Sequence, residues 1–269
     1  MMHNFSHSPA SLDGKISVLS GALGDIGLAT VSALLERGAR VAMCDLTPES
    51  DALARLESLF PSAQDSLFYA RVDVSDEMQV EAWLTNVAAR WGAPSVAISN
   101  AAIVKAGSAL GVDAASWRRQ IEVNLNGAFW VARSAARLML EAQIEGRIVL
   151  VGSWAAHAPH PQISAYSVAK AGLRMACQCL ALELAPHGIL VNEIAPGFVD
   201  AGLSAQLFAA DETLKARSCE RVPTGEMLLA EEVAREIMAL CDFSRRHLTG
   251  SFVVVDGGLS LLVGNSRTP

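Results

Sequence analysis

Tyrosine and lysine are scarce in this chain: 2 Tyr and 4 Lys (Lys15, Lys105, Lys170, Lys215) among 269 residues. There is no Lys/Arg run, the net charge is −7 and the pI about 5.4, so a nucleic-acid partner is not expected. No uninterrupted apolar run approaches the ~18 residues of a membrane span, so no membrane partner is expected either. The first fourteen residues are polar and hold no apolar signal core, which points to a cytoplasmic protein with a flexible tail at 1–14. The 5 cysteines, an odd number scattered at 44, 177, 179, 219 and 241, suit a reducing compartment better than a disulfide framework. Cys177 and Cys179 are two apart, and on a helix such residues point away from each other, so buried small hydrophobes are expected there instead of a metal site. His3 and His7 have no ligand set nearby, and no metal is expected.

What is present is apolar: 51% hydrophobic residues, with 20 glycines, enough for one large core. Apolar runs alternate with helical periodicity. Strands are expected at 16–20, 39–44, 67–72, 95–99, 147–152, 189–194 and 252–255. Helices are expected at 26–37, near 48–59, over a stretch ending at Trp91, at 114–123, 125–142 and 164–186, and around Val233–Cys241. Val80, Trp83, Leu84, Val87 and Trp91 recur at helical spacing. This alternation predicts an α/β domain, a parallel sheet covered on both faces and wound right-handed. One domain spans 15–263, with a short C-terminal tail at 264–269.

Tyr166 and Lys170 stand four apart, which on a helix places them on one face. Free tyrosine ionises near pH 10, but an ammonium about 4 Å away would favour its phenolate by roughly 4 kcal/mol at an effective dielectric of 20. Such a pair can make a base near neutral pH, and the Ser153 hydroxyl could hydrogen-bond a substrate oxygen. The spacing alone arises by chance in roughly 3% of arrangements, and an ordinary surface pair is its rival. Between the first strand and first helix lie Ser20, Gly21, Gly24, Asp25, Ile26 and Gly27. Glycines there let a backbone approach a pyrophosphate, and the helix N-terminus favours its charge. A plain tight turn would read the same way. Asp45, 24 residues after Gly21, ends the second strand and can accept the hydroxyls of an adenosine ribose. It would repel a 2′-phosphate, Ala22 and Leu46 offer no cation, and Arg40 lies at the other end of the strand. NAD is therefore expected over NADP, although a solvated strand end would also suit Asp45.

Eight features in order now coincide: the glycine-rich turn, Asp73-Val74, Asn100-Ala101, Asn124, Ser153, Tyr166/Lys170, Pro196-Gly197 and Asp256-Gly257-Gly258. From about Lys15 to Gly258 the chain resembles the short-chain dehydrogenase/reductase superfamily, in its shorter single-domain branch. The resemblance implies a three-layer Rossmann-type doubly wound fold with a seven-stranded parallel sheet. It implies Tyr166 as acid/base, Ser153 polarising the alcohol or carbonyl, and Lys170 on the nicotinamide ribose. Asn124 would hold a water linking Lys170 to solvent. Asp73 would face the adenine amine, with Val74 beside it. Asn100 and Ala101 would line the adenosine side, and Pro196, Gly197 and Val199 the nicotinamide. Leu46 would lie beside Asp45. A homotetramer, or a homodimer, is also implied. The sequence departs from the family pattern where Asp25 replaces a glycine, Ala102 a glycine and Ala201 a threonine. Asp25 is expected to cap the first helix.

Substrate recognition is expected from the loops after the fifth and sixth strands. Trp154 and His157 belong to the first. The second, a lid over 198–223, contains Phe198 and Leu203, with Leu207 and Phe208 at helical spacing. An exposed loop histidine and ordinary lid packing are the plain alternatives. The whole predicts an NAD(H)-linked oxidoreductase interconverting a secondary alcohol and a ketone, with a sugar, polyol or hydroxy acid as its small-molecule substrate. Alternatives are an NADP-linked 3-oxoacyl thioester or carbonyl reductase, a cofactor-retaining epimerase or dehydratase, and a non-catalytic NAD-binding protein.

Overall fold

A computed structural model describes residues 11–202 and 212–262. Its centre is a sheet of seven parallel strands: β1 (Ile16–Ser20), β2 (Arg40–Asp45), β3 (Leu67–Arg71), β4 (Val96–Ser99), β5 (Gly146–Val151), β6 (Ile189–Pro196) and β7 (Phe252–Val255). The spatial order is β3-β2-β1-β4-β5-β6-β7. The central strands are apolar on both faces because helices cover both. Helices α1 (Asp25–Leu35), α2 (Glu49–Leu59) and α8 (Ala230–Leu240) contribute Val31, Leu34, Leu56, Val233 and Ile237 to one core. Helices α3 (Glu77–Trp91), α5 (Ala128–Glu141) and α6 (Ser164–Leu184) contribute Val80, Trp83, Val131, Met139 and Leu173 to the other. Alternation along each strand divides the two: Val18 faces the second core and Leu19 the first.

The chain winds outward from β1 to β3, then crosses back to β4 on the other side of β1. This reversal opens a crevice at the carboxyl ends of β1 and β4, where a doubly wound sheet binds its ligand.

Three local features differ from the sequence expectation. The two helices expected at 114–123 and 125–142 are continuous through a π-helical turn, Glu122–Gly127, joining α4 (Ala114–Ile121) to α5. Such turns recur at functional sites, and this one carries Asn124. Leu12, within the tail expected at 1–14, is 1% exposed, and its N–H donates to Arg37 O at 2.8 Å. The second stretch of the expected lid contains a helix, α7 (Glu212–Glu220), while Leu203, Leu207 and Phe208 lie outside the described residues. No described helix is long and apolar enough to cross a membrane.

Candidate active site

The turn after β1 is built by exclusion of side chains. Gly21 has φ +64°, and a Cβ there would sit 2.6 Å from Ala101 Cα, so the turns after β1 and β4 touch backbone to backbone. Ser20, expected to contact a cofactor, is instead 1% exposed and ties the two turns together. Its hydroxyl accepts from the N–H groups of Asn100 (3.2 Å) and Ala101 (3.3 Å). The Asn100 amide donates to Gly21 O at 2.8 Å. These bonds hold open a cleft lined by Gly21, Gly24, Asp25, Ile26, Gly27, Asp45, Asn100, Ala101, Ser153, Tyr166, Lys170, Pro196, Gly197 and Val199. An adjoining pocket, sharing Gly21, Asp45 and Ala101, adds Leu46, Asp73, Val74 and Arg119. Most residues singled out from sequence for cofactor binding therefore meet on one surface.

Asp45 accepts from its neighbours' backbone, Leu46 N at 2.7 Å and Leu23 N at 3.2 Å. This fixes its carboxylate at the cleft with lone pairs to spare. Arg55, which the sequence reading did not weigh, reaches from α2 to Leu23 O at 3.0 Å. A cation thus lies at the same turn as Asp45. Asp73 is also more occupied than expected: Ser75 Oγ (2.7 Å) and Arg119 Nη2 (2.9 Å) hold its carboxylate. Burial pushes the Asp73 carboxyl up, but those two partners prevail and leave its pKa below the ordinary value. Asp25 does not cap α1. Gly24 occupies the cap position, and the Asp25 carboxylate accepts from Gly202 N at 2.6 Å, bridging α1 to the segment after β6.

The chemical end lies where β5 and α6 meet. Ser153 follows β5 and is 7% exposed. The inner face of α6 repeats Ala165, Ala169, Leu173 and Cys177 at i+4, and this anchors the helix against β6. Cys179 is exposed, so only one of the two neighbouring cysteines is the buried hydrophobe expected. The same anchoring carries Lys170 inward to 2% exposure, where Nζ donates to Val151 O at 2.7 Å. Nζ lies 5.6 Å from the centre of the Tyr166 ring, which keeps part of its surface open to the cleft. Burial drives the Lys170 pKa down to about 8, against the ionised Glu193, which holds it up. Burial raises the Tyr166 pKa, a Ser153 hydrogen bond lowers it, and Glu193 raises it further. The expected drop toward neutrality is not present. Burial of the phenol is the largest cause, and the Glu193 carboxyl, which the sequence expectation did not include, adds to it. A signal for Glu193 existed, since it is the one ionisable residue in the run Ile189–Pro196.

Asn124 is fully buried, and its side chain is spent on Ile103, accepting from its N–H and donating to its C=O, both at 2.8 Å. Trp154 does not line the cleft. It is 4% exposed and packs edge-on against Phe198 (5.3 Å) and His160 (5.5 Å). The His157 ring turns away toward Phe252 at 5.0 Å, and its pKa is lowered, first by burial and then by Arg174. Among the described residues no cluster of three or more potential ligands could hold a metal. The donor set instead fits a dinucleotide: a backbone cradle that excludes side chains, a helix N-terminus and a carboxylate at the ribose position.

Comparison with known proteins agrees with this geometry. Residues 21–260 match the family described as enoyl-(acyl carrier protein) reductase. The chain is 36% identical over 245 residues to cis-4-hydroxycyclohexanecarboxylate dehydrogenase of Sinomonas cyclohexanicum, covering 91% of this chain and 96% of that protein. It is 34% identical to galactitol 2-dehydrogenase of Rhizobium johnstonii, covering 93% and 96%. A solved gluconate 5-dehydrogenase from Burkholderia cenocepacia, in complex with NADP and tartrate, superposes with a TM-score of 0.86 at 27% identity, covering 93% of this chain and 97% of that one. The chain therefore belongs to the short-chain dehydrogenase/reductase superfamily and is an oxidoreductase.

Proposed function

We propose that the protein is an NAD-dependent dehydrogenase that interconverts a secondary alcohol and a ketone on a small polyol, sugar or hydroxy acid. The observation carrying this reading is the convergence of Ser153, Tyr166 and buried Lys170 on the cleft that Asp45 also lines. A bound nicotinamide dinucleotide would supply the hydride acceptor or donor. Ser153 donates a hydrogen bond to the substrate oxygen, and Tyr166 exchanges the hydroxyl proton. Lys170, fixed on Val151 O, favours the ionised phenol and would meet the ribose. Asn124 shapes the π-helical turn beside the cleft through its two bonds to Ile103. Asp25, Gly24 and Ile26 would border the pyrophosphate, Asp73, Val74 and Leu46 the adenosine, and Pro196, Gly197 and Val199 the nicotinamide. Phe198 and Leu203, with the lid at 198–223, would meet the substrate, with Trp154 supporting Phe198 from behind.

The choice of NAD rests on Asp45. A second reading, an NADP-linked 3-oxoacyl thioester reductase, is favoured by Arg55 at the same turn and by similarity to the 3-oxoacyl-[acyl-carrier-protein] reductase of Salmonella typhimurium (29% identity over 252 residues). Five unpaired cysteines support a cytoplasmic setting. Exposed Val168, Met175 and Leu182, seven apart along α6, support a homotetramer or homodimer. The test is a panel of polyols, sugars, hydroxy acids and 3-oxoacyl thioesters, each with NAD(H) and NADP(H), followed by nicotinamide absorbance. NAD-linked turnover of an alcohol is expected, and turnover confined to NADPH and thioesters would favour the second reading.

A further inference from the structure

Glu193 has no part in the chemistry so far, yet it stands directly behind it. It lies on the face of β6 that packs on α6, and it is 0% exposed. Neither carboxylate oxygen has a hydrogen-bond partner among the described residues. That is an expensive arrangement for a carboxyl group. Its place is set by Gly152: a Cβ on that residue would fall 2.0 Å from Glu193 Oε1. Gly152 itself lines the cofactor cleft, so one glycine backbone separates the carboxyl from that cleft. Val151, which receives the Lys170 ammonium, and Ser153 are the residues on either side. The Lys170 ammonium and the Glu193 carboxyl thus rest on the same three-residue strand end that delivers the serine.

We propose that Glu193 is a positioning residue for the Tyr166 proton: a buried charge behind Gly152 that sets how much of the Lys170 field reaches the phenol. As a neutral acid it leaves Lys170 free to favour the phenolate. As a carboxylate it attracts the ammonium and repels the phenolate. The charged groups facing it come from α6: Lys170, Arg174, and the thiol of Cys177. Arg174 stacks 4.6 Å from the Phe252 ring centre, its Nε and Nη2 have no hydrogen-bond partner among the described residues, and His157, from the turn after β5, feels the charges of Arg174 and Asp256. Burial raises the Glu193 pKa to about 7, opposed by Arg174 and Lys170. The carboxyl therefore changes charge in the range where the enzyme would work. This rests on Tyr166 being the acid/base of the proposed reaction, but its test does not require turnover.

Tyr69 and Tyr166 are the only tyrosines in the sequence, and burial followed by Asp45 pushes Tyr69 well above the ordinary value. The titration is therefore read in a Tyr69→Phe background, where Tyr166 is the one tyrosine left to absorb. A unit charge acting over ~8–12 Å at an effective dielectric near 20 is worth about 1–1.5 pH units, so Glu193→Gln should lower the Tyr166 ionisation by about that much. Glu193→Ala should give the same sign without carrying an unpaired amide into the core. Glu193→Asp, which keeps the charge, should stay close to the parent protein. An unmoved or raised ionisation in the Gln and Ala variants would overturn the proposal, as would an equal fall in the Asp variant. If the fold gives way before the phenol ionises, the acidic limb of kcat/KM for alcohol oxidation decides. It should move to lower pH in Glu193→Gln, and an unmoved limb contradicts the proposal. Absence of any turnover, with the titration shifted as expected, would remove the proposed function and leave the Glu193 coupling intact.

Discussion

Replacing Lys170 by methionine separates what this residue does for catalysis from what it does for stability. Its ammonium is 2% exposed and has one hydrogen bond, to Val151 O at 2.7 Å. Burial lowers its pKa from 10.5 to about 8. A shift of this size is about 3 kcal/mol of preference for the neutral amine in the folded chain. The sign follows from linkage: a lysine with a depressed folded pKa costs stability below about pH 8, and the cost fades as pH rises toward 10.5. Methionine fills nearly the same volume without the charge, but it leaves Val151 O without that donor, at about 1–3 kcal/mol. The variant should therefore be as stable as the parent or up to about 2 kcal/mol more stable at neutral pH, with about 2–4 °C in Tm per kcal/mol for a chain of this size. Activity should fall by roughly 10²–10⁴, the usual contribution of positioned acid/base chemistry. Thermal melts of both proteins across neutral to alkaline pH, beside initial rates, make the assay. The variant's advantage should shrink and then reverse as pH rises above 8, ending at the about 1–3 kcal/mol of the lost hydrogen bond. A loss of more than about 2 kcal/mol at neutral pH, or an advantage that grows with pH, would refute the reasoning, because burial would then not set the cost of Lys170.

Other substitutions probe the cofactor end. Asp45→Ala should narrow the gap between NAD and NADP, read as the ratio of the two kcat/KM values; an unchanged ratio would remove Asp45 as the discriminating group. Gly21→Ala places a methyl 2.6 Å from Ala101 Cα at φ +64°. It should weaken dinucleotide binding at least tenfold and cost about 1–3 kcal/mol in stability; binding within twofold of the parent by fluorescence titration would show that this turn does not hold the pyrophosphate. Asp25→Asn should preserve the fold and strengthen dinucleotide binding a few-fold, since it removes a negative charge beside the α1 N-terminus; weaker binding would mean that the Gly202 contact matters more than the charge.

The sheet was readable in the sequence because hydrophobic alternation and helical periodicity act locally. The α3 stripe of Val80, Trp83, Leu84 and Val87 is buried as its spacing requires. The Tyr166/Lys170 pair was readable because i+4 spacing on a helix has a single geometric meaning. Properties set by neighbours distant in sequence could not be read. The Ser20 hydroxyl serves the turn after β4, 80 and 81 residues away. Asp25 bonds Gly202 across 177 positions. Trp154 and His157 come just after Ser153 in the chain, but packing on Phe198 and Phe252 takes them away from the cleft. The Tyr166 ionisation differs from expectation for the same reason: burial by the folded chain raises it most, and Glu193, brought in by β6, raises it further.

Hydride transfer to NAD from the best substrate of the panel, compared between the parent protein and Tyr166→Phe with dinucleotide affinity measured in both, tests the central claim most directly. A loss of at least about 10² in rate with unchanged affinity is predicted for a phenol that carries the proton. Full activity in the phenylalanine variant would contradict it.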